Sequence, residues 1–314
     1  ASYILNRYIN YSNYCILSCQ FCSFARKKRD ADGFELTVEQ MVQKAREALA
    51  LGITELHIVG GLHPSLPFSY YVDFLRALKA LDARLQLKCF TAIEILHLAW
   101  LAKKSVEETL VELKAAGINR LSIGIQSFDD NDLMFLHRIH QSKEAIESVK
   151  TAQDVGLENI SIDLIYGIPG LDNQHWLRNL HTAFSLNVPH ISSYCLTVER
   201  KTALWHGINK GKINALDEHL AATQFELMLD SMADNDFEHY EISNFAKHQK
   251  YAQHNSNYWL QQPYLGLGPS AHSYEGRSRQ WNKNNNGLYI KALLNHELPP
   301  AEREDLSLSQ RYNE

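Results

Sequence analysis

Three cysteines, Cys15, Cys19 and Cys22, stand within eight residues in the segment Asn13-Tyr-Cys-Ile-Leu-Ser-Cys-Gln-Phe-Cys-Ser-Phe24. Thiolates spaced by three and then two residues can wrap three irons of a cubane [4Fe–4S] cluster, leaving the fourth iron open to a small molecule. Two other readings compete: three unrelated buried thiols, or zinc. Zinc normally takes four ligands, commonly as two pairs with a longer spacer. The remaining cysteines, Cys89 and Cys195, are isolated in strand-like runs and read as core thiols. Gly60 and Gly61, in Val59-Gly-Gly-Leu-His-Pro64, are a second chemical feature. Paired glycines at a strand end let a ligand approach the backbone.

These groups need a frame. Apolar runs predict strands over 8–14, 55–59, 85–91, 120–125, 159–165 and 190–196. Helical spacing lies between them, as in 38–51, where Val38, Met41, Val42, Ala45, Ala48 and Leu49 recur on one face. Thr37-Val-Glu-Gln40 and Ser105-Val-Glu-Glu108 read as capping boxes, and Gly52, Gly117 and Gly156 as helix ends. The alternation implies parallel βαβ units, in either a doubly wound sheet or a barrel short of eight strands. Both collect ligands at the carboxyl ends of the strands. After about residue 198 the pattern becomes a helix over 217–233 and strand-like runs over 238–245 and 258–274. Asn284-Asn-Asn286 reads as a loop.

The 314 residues are 45% hydrophobic and 21% charged, with a formal charge of −5. That is globular composition without the basic field of a nucleic-acid binder. The run Arg26-Lys-Lys-Arg29 reads as a solvated loop. No apolar stretch approaches the roughly 20 residues of a membrane span, and residues 1–12 lack signal-peptide order. Five cysteines, three of them clustered, fit reduced thiols in the cytoplasm better than a disulfide framework.

The cysteine spacing, the aromatic before Cys22 and the position after the first strand resemble the radical S-adenosylmethionine (SAM) superfamily. The resemblance implies an α/β fold: a partial (β/α)6 TIM-type barrel over 1–198 with a smaller α+β region over 199–314. It implies a [4Fe–4S] cluster on Cys15, Cys19 and Cys22 and SAM on its open iron, with Gly60 and Gly61 contacting the methionine amino group. An electron donor of flavodoxin or ferredoxin type would supply the electron that cleaves SAM.

Two narrower resemblances divide near Gly117. Asn6-Arg-Tyr-Ile-Asn-Tyr-Ser-Asn-Tyr-Cys15, Glu55-Leu-His-Ile-Val-Gly-Gly-Leu-His-Pro64 and Phe90-Thr-Ala-Ile-Glu-Ile95 resemble aminofutalosine synthase. From Ile118 on, the matches are Leu121-Ser-Ile-Gly-Ile-Gln-Ser-Phe128, Leu136-His-Arg-Ile-His140, Asp163-Leu-Ile-Tyr-Gly-Ile-Pro-Gly170, Tyr240-Glu-Ile-Ser-Asn-Phe245, His254-Asn-Ser-Asn-Tyr-Trp259 and Tyr264-Leu-Gly-Leu-Gly268. These resemble HemW-type haem chaperones, relatives of oxygen-independent coproporphyrinogen III oxidase. Together they suggest a natural or engineered half-barrel chimera.

The second resemblance implies SAM contacts from Glu94, Gln126, Arg138 and Asp163; for each, a cap or salt bridge is the plain alternative. It also implies a haem role for His254, with packing against Tyr258 and Trp259 as the alternative. His272 is weaker, and His137 and His140 could share a helix face as structural or ligand-facing groups. Three functions follow: a HemW-like haem-binding chaperone, an aminofutalosine synthase adding the adenosyl radical to an enolpyruvyl-benzoate, and, disfavoured by the sequence before the cysteines, coproporphyrinogen decarboxylation. An engineered chain would bind cluster and SAM without a native substrate.

Overall fold

The computed structural model describes residues 6–17, 25–198, 202–252, 256, 264–307 and 309–310. The chain forms two compact units, Ala1–Lys104 with Ala252–Glu314, and Ser105–Tyr251.

The first unit begins with three parallel strands, β1 (Asn6–Tyr8), β2 (Glu55–Ile58) and β3 (Gln86–Cys89), in the order β1-β2-β3. Between them run α1 (Val38–Ala50) and α2 (Phe68–Lys79), and α3 (Ala92–Ala102) follows. The Thr37 capping box forms as expected, and Met41, Ala45 and Ala48 form the buried stripe of α1. Every residue of β2 is buried, and Phe74, Leu75 and Leu78 of α2 pack in the same core. β1 is shorter than the expected 8–14. After Ile9, whose N–H donates to His57 O, the chain turns to single bridges, Ser12 with Glu35 and Tyr14 with Arg26.

The same unit contains an antiparallel sheet of β9 (His272–Tyr274), β10 (Ser278–Asn282) and β11 (Ala301–Asp305), in the order β11-β10-β9. Helix α10 (Asn286–Leu294) lies between β10 and β11. Asn284-Asn-Asn286 is therefore more than a loop: the Asn285 side chain caps α10 by accepting from Leu288 N.

The second unit runs α4 (Val106–Ala115), β4 (Leu121–Gln126), α5 (Asp130–Phe135), α6 (Ser142–Asp154), β5 (Ile160–Tyr166), α7 (Asn173–Ser185) and β6 (His190–Cys195). Then come α8 (Ala203–Asn209), α9 (Glu218–Asp234) and the hairpin β7 (Glu238–Glu241) and β8 (Asn244–Ala246). The sheet order is β4-β5-β6-β8-β7; β4, β5 and β6 are parallel, and β8 joins β6 antiparallel. The hairpin thus extends the same sheet. Gly117 (φ 109°) closes α4 in the left-handed region, with Ile118 N bonded back to Leu113 O. Trp176 of α7 is fully buried and donates through Nε1 to Gln224 O on α9. Truncating such a side chain to alanine costs about 3–5 kcal/mol.

Candidate functional site

The chain around Cys15 is held by backbone bonds and single bridges, not by a strand ladder. Cys15 N donates to Arg26 O, Ile16 N to Leu62 O, and Gly61 N to Ser12 O. The Leu62 N–H points at Cys15 Sγ (3.4 Å), the kind of donor that stabilises a thiolate bound to iron. Gly61 sits directly on this segment. A Cβ there would lie 2.2 Å from Tyr14 O and 2.8 Å from Cys15 Cβ, so only glycine fits.

Lys27 completes the frame, its Nζ donating to the carbonyls of Cys15 (2.8 Å), Ile16 (3.1 Å) and Leu17 (3.0 Å). The basic run read as solvated therefore supplies a clamp on the first cysteine. The signal in the sequence was only its nearness to the triplet.

Tyr11 was not singled out by sequence reasoning. Its ring lies where a Cβ on Gly60 would be, and its hydroxyl faces Gly61 O (3.0 Å) and Glu94 Oε1 (3.2 Å). Burial and the Glu94 charge push the phenol far above its ordinary range, so it stays a donor. Glu94 is buried at the third position of α3, where Oε2 accepts from Thr91 N (2.7 Å) in a capping box. Its two oxygens are thus engaged by the cap and by Tyr11. Close by, His63 accepts from Ser65 N and Leu66 N at Nδ1, and its Nε2 lies 2.6 Å from Glu35 Oε2.

In the second unit, three of the expected SAM contacts come together. β4 slips register between Ile123 and Gln126, and Gln126 takes a left-handed φ of 73°; such a bulge re-aims a side chain. A Cβ placed on Gly124 would meet Gln126 Nε2 at 2.8 Å, and both Arg138 Nη2 and Asp163 Oδ2 at 3.9 Å. Arg138 is anchored by donating to Gly124 O (3.2 Å). Asp163 lies on β5 opposite Ser192 of β6; burial raises its carboxyl, and the Ser192 hydrogen bond opposes that rise. The patch therefore offers an amide, a guanidinium and a carboxyl around one bare backbone face.

Other expectations change. α5 ends at Phe135, so His137 (φ 53°) and His140 share no helix face; His140 Nε2 bonds Ile125 O (3.1 Å) behind the β4 end. Cys195 is exposed rather than a core thiol, although it still pairs with Tyr166 of β5, because burial along β6 ends after Ser193; Cys89 is half-buried. His272 stacks on Trp281 across the β9–β10 pair. Cys19, Cys22 and His254 lie outside the described residues.

Residues 9–183 match the radical SAM superfamily, more than half of the chain. The chain belongs to that superfamily. Among curated proteins it is 35% identical over 207 residues to the heme chaperone HemW of Bacillus subtilis, covering 66% of this chain and 55% of that protein. It is also 35% identical over 182 residues to the FO synthase of Nocardia farcinica, covering 57% of this chain and 21% of that one. The HemW alignment of 207 residues is longer than the stretch from Ile118 to the end, and the FO synthase alignment of 182 residues is longer than the stretch up to Gly117, so neither match is confined to the half that first resembled it. The chain spans little more than half the length of the curated HemW relatives it first matches. In fold it is similar to the coproporphyrinogen III oxidase (HemN) of Escherichia coli, with a TM-score of 0.54 and 16% identity over 97% of this chain and 72% of that one. Each unit carries parallel βα repeats of the kind the superfamily fold is built from, β1-β2-β3 in the first and β4-β5-β6 in the second.

The superfamily's cofactors are a [4Fe–4S] cluster and SAM, and the residues fit them. Cys15 has its backbone donor, and Gly61 leaves the space beside Cys15 that a side chain would fill. No helix among the described residues is long and apolar enough to cross a membrane.

Proposed function

We propose that this radical SAM protein is a haem-handling protein of HemW type, binding SAM through Gly60, Gly61, Gln126, Arg138 and Asp163. The observation that carries the SAM assignment is the convergence of Gln126, Arg138 and Asp163 beside Gly124, which has no side chain to hold them off. A carboxyl, an amide and a guanidinium there suit ribose hydroxyls and the methionine carboxylate through charge-assisted bonds. When bound, the cluster and SAM supply reductive cleavage of the sulfonium. The chain's own part is to hold Cys15 with the Leu62 N–H and Lys27, and to fix the Gly61 carbonyl with the Tyr11 hydroxyl. The haem role rests on the similarity to the Bacillus chaperone and on the motif around His254. The electron donor in this reading is a flavodoxin or ferredoxin, and the setting is the cytoplasm, where thiols stay reduced.

The FO synthase match favours a second reading, an aminofutalosine synthase-type enzyme. Anaerobic reconstitution separates the two. Iron and sulfide are counted, 5′-deoxyadenosine release is followed with and without the enolpyruvyl-benzoate, and haemin is titrated. A Soret shift lost in His254→Ala, with no adduct, is the result expected. An adduct to the benzoate with no Soret shift overturns the haem assignment.

A further inference from the structure

We propose that Asp129, Asp132 and His175 form a site for one divalent transition-metal cation, separate from the cysteine cluster, that ties the turn after β4 to the start of α7. The three side chains present one donor atom each, all within 4.8 Å of one another. Among the described residues no other trio of histidine, cysteine or carboxylate donors comes so close.

The hydrogen bonds of Asp129 leave one of its carboxylate oxygens turned to the histidine. Asp129 caps α5, and its Oδ1 accepts from Asn131 N (2.8 Å) and Asp132 N (3.4 Å). Its Oδ2 turns to His175 Nε2, 3.1 Å away. Asp132 is 6% exposed, and its Oδ2 lies 3.8 Å from the same nitrogen. A plain ion pair would aim an N–H at one of these oxygens. His175 Nε2 makes no directed hydrogen bond to either, and it is sealed from solvent. A buried ring nitrogen facing two carboxylate oxygens without a proton aligned to either is placed as a ligand.

The surroundings are built in the manner of a second coordination layer. Ser127 Oγ donates to Asp132 Oδ2 (2.7 Å). Asn179, one turn beyond His175 on α7 and 2% exposed, accepts from Phe128 N (2.7 Å). Its side chain also hydrogen-bonds Asp132. Such outer partners fix ligand orientation. One imidazole nitrogen and two carboxylate oxygens suit zinc, iron(II) or manganese(II). Ligand atoms about 2.0–2.2 Å from a cation stand roughly 3–4 Å apart; His175 Nε2 lies 3.1 Å from Asp129 Oδ2 and 3.8 Å from Asp132 Oδ2. Two negative charges and a neutral ring balance a divalent ion. Since Ser127 follows Gln126 directly, an ion here would also brace the residue that faces the proposed SAM patch.

The test uses the cluster-loaded protein, cleared of loose metal on a chelating resin, dialysed against micromolar Zn²⁺ and counted by elemental analysis. The expected result is one zinc per chain beyond the cluster iron and a Tm raised by roughly 5 °C with Zn²⁺. His175→Gln and Asp129→Asn should each cut zinc occupancy at least tenfold and abolish the Tm response, with circular dichroism and iron content unchanged. Asparagine caps a helix as well as aspartate does, so Asp129→Asn keeps the fold if His175→Gln does not. A Cys15→Ser, Cys19→Ser, Cys22→Ser chain should still bind the zinc. No bound zinc, zinc unchanged in both variants, or zinc lost with the cysteines would each overturn the site.

Discussion

The Lys27 ammonium lies 2.8 Å from the Cys15 carbonyl oxygen and spans the next two carbonyls as well. One cation thus satisfies three acceptors that a loop outside any ladder would leave to water. Lys27→Met removes these donors while keeping the stem. Iron should leave the reconstituted protein about fivefold faster under a chelator, matching a net loss of about 1 kcal/mol. The cluster potential, read by spectroelectrochemistry, should fall with the loss of a nearby positive charge. An unchanged rate and potential would remove Lys27 from the site.

Gly61 tolerates no side chain, because the Tyr14 carbonyl and Cys15 Cβ occupy the space. Gly61→Ala should therefore cost about 1–3 kcal/mol by overpacking against backbone. Iron per chain after reconstitution should drop to less than half, with secondary structure preserved. Full iron loading in the alanine variant would contradict this packing.

Tyr11→Phe keeps the ring stacked on Phe74 and removes only the hydroxyl between Gly61 and Glu94. The net cost to stability should be about 1 kcal/mol, and SAM should bind more weakly, by calorimetry. Because burial pushes the phenol far above its ordinary range, the difference between wild type and variant should not change from pH 6 to 9.

Burial raises the Asp163 carboxyl, so the folded chain holds that proton more tightly than the unfolded chain. The penalty is absent when both states are protonated and grows as pH rises through the ordinary carboxylate range to the raised folded value. Asp163→Asn should therefore increase Tm at neutral pH and lose that advantage at acid pH, while weakening SAM binding. Higher stability with undiminished SAM affinity would place Asp163 outside the cofactor site.

His190 is buried between Ser161 Oγ on Nδ1 and Tyr240 OH on Nε2, each 2.7 Å away. Desolvation, and then the Arg120 charge, hold its pKa down to about 3 from an ordinary 6.5. Protonation thus favours the unfolded chain. Stability from this group is full above pH 6.5 and is lost as pH falls towards 3. Thermal melts should show a shallower acid slope for His190→Gln than for wild type between pH 6.5 and 4. Equal slopes would assign the acid lability elsewhere.

Much of this was local and therefore legible. The strands at 55–58, 86–89, 121–126, 160–166 and 190–195 fall inside or within a residue of their apolar runs, because burial on a sheet writes itself into consecutive residues. The caps at Thr37 and Ser105 could be read because both partners lie three residues apart. β1 could not. Its expected continuation past Ile9 carries the strand-prone Tyr11 and Tyr14, but its backbone partners are single bridges from distant loops. Cys195 looked like a core thiol by type and neighbours, and only the fold shows that the cover over β6 ends after Ser193 and leaves it exposed.

By itself the sequence determined the three-thiolate motif, the order of βα units and hence the superfamily, since each is set by spacings of a few residues. The tertiary structure decided what surrounds the chemistry. Tyr11 reaches Gly61 across 50 residues of chain and Glu94 across 83. Gln126, Arg138 and Asp163 meet at Gly124, and His175 turns to Asp129 and Asp132. Such meetings depend on strand register, one bulge and the direction in which a loop leaves its ladder. A one-residue slip in any of these points a side chain to the other face, so no local spacing encodes them.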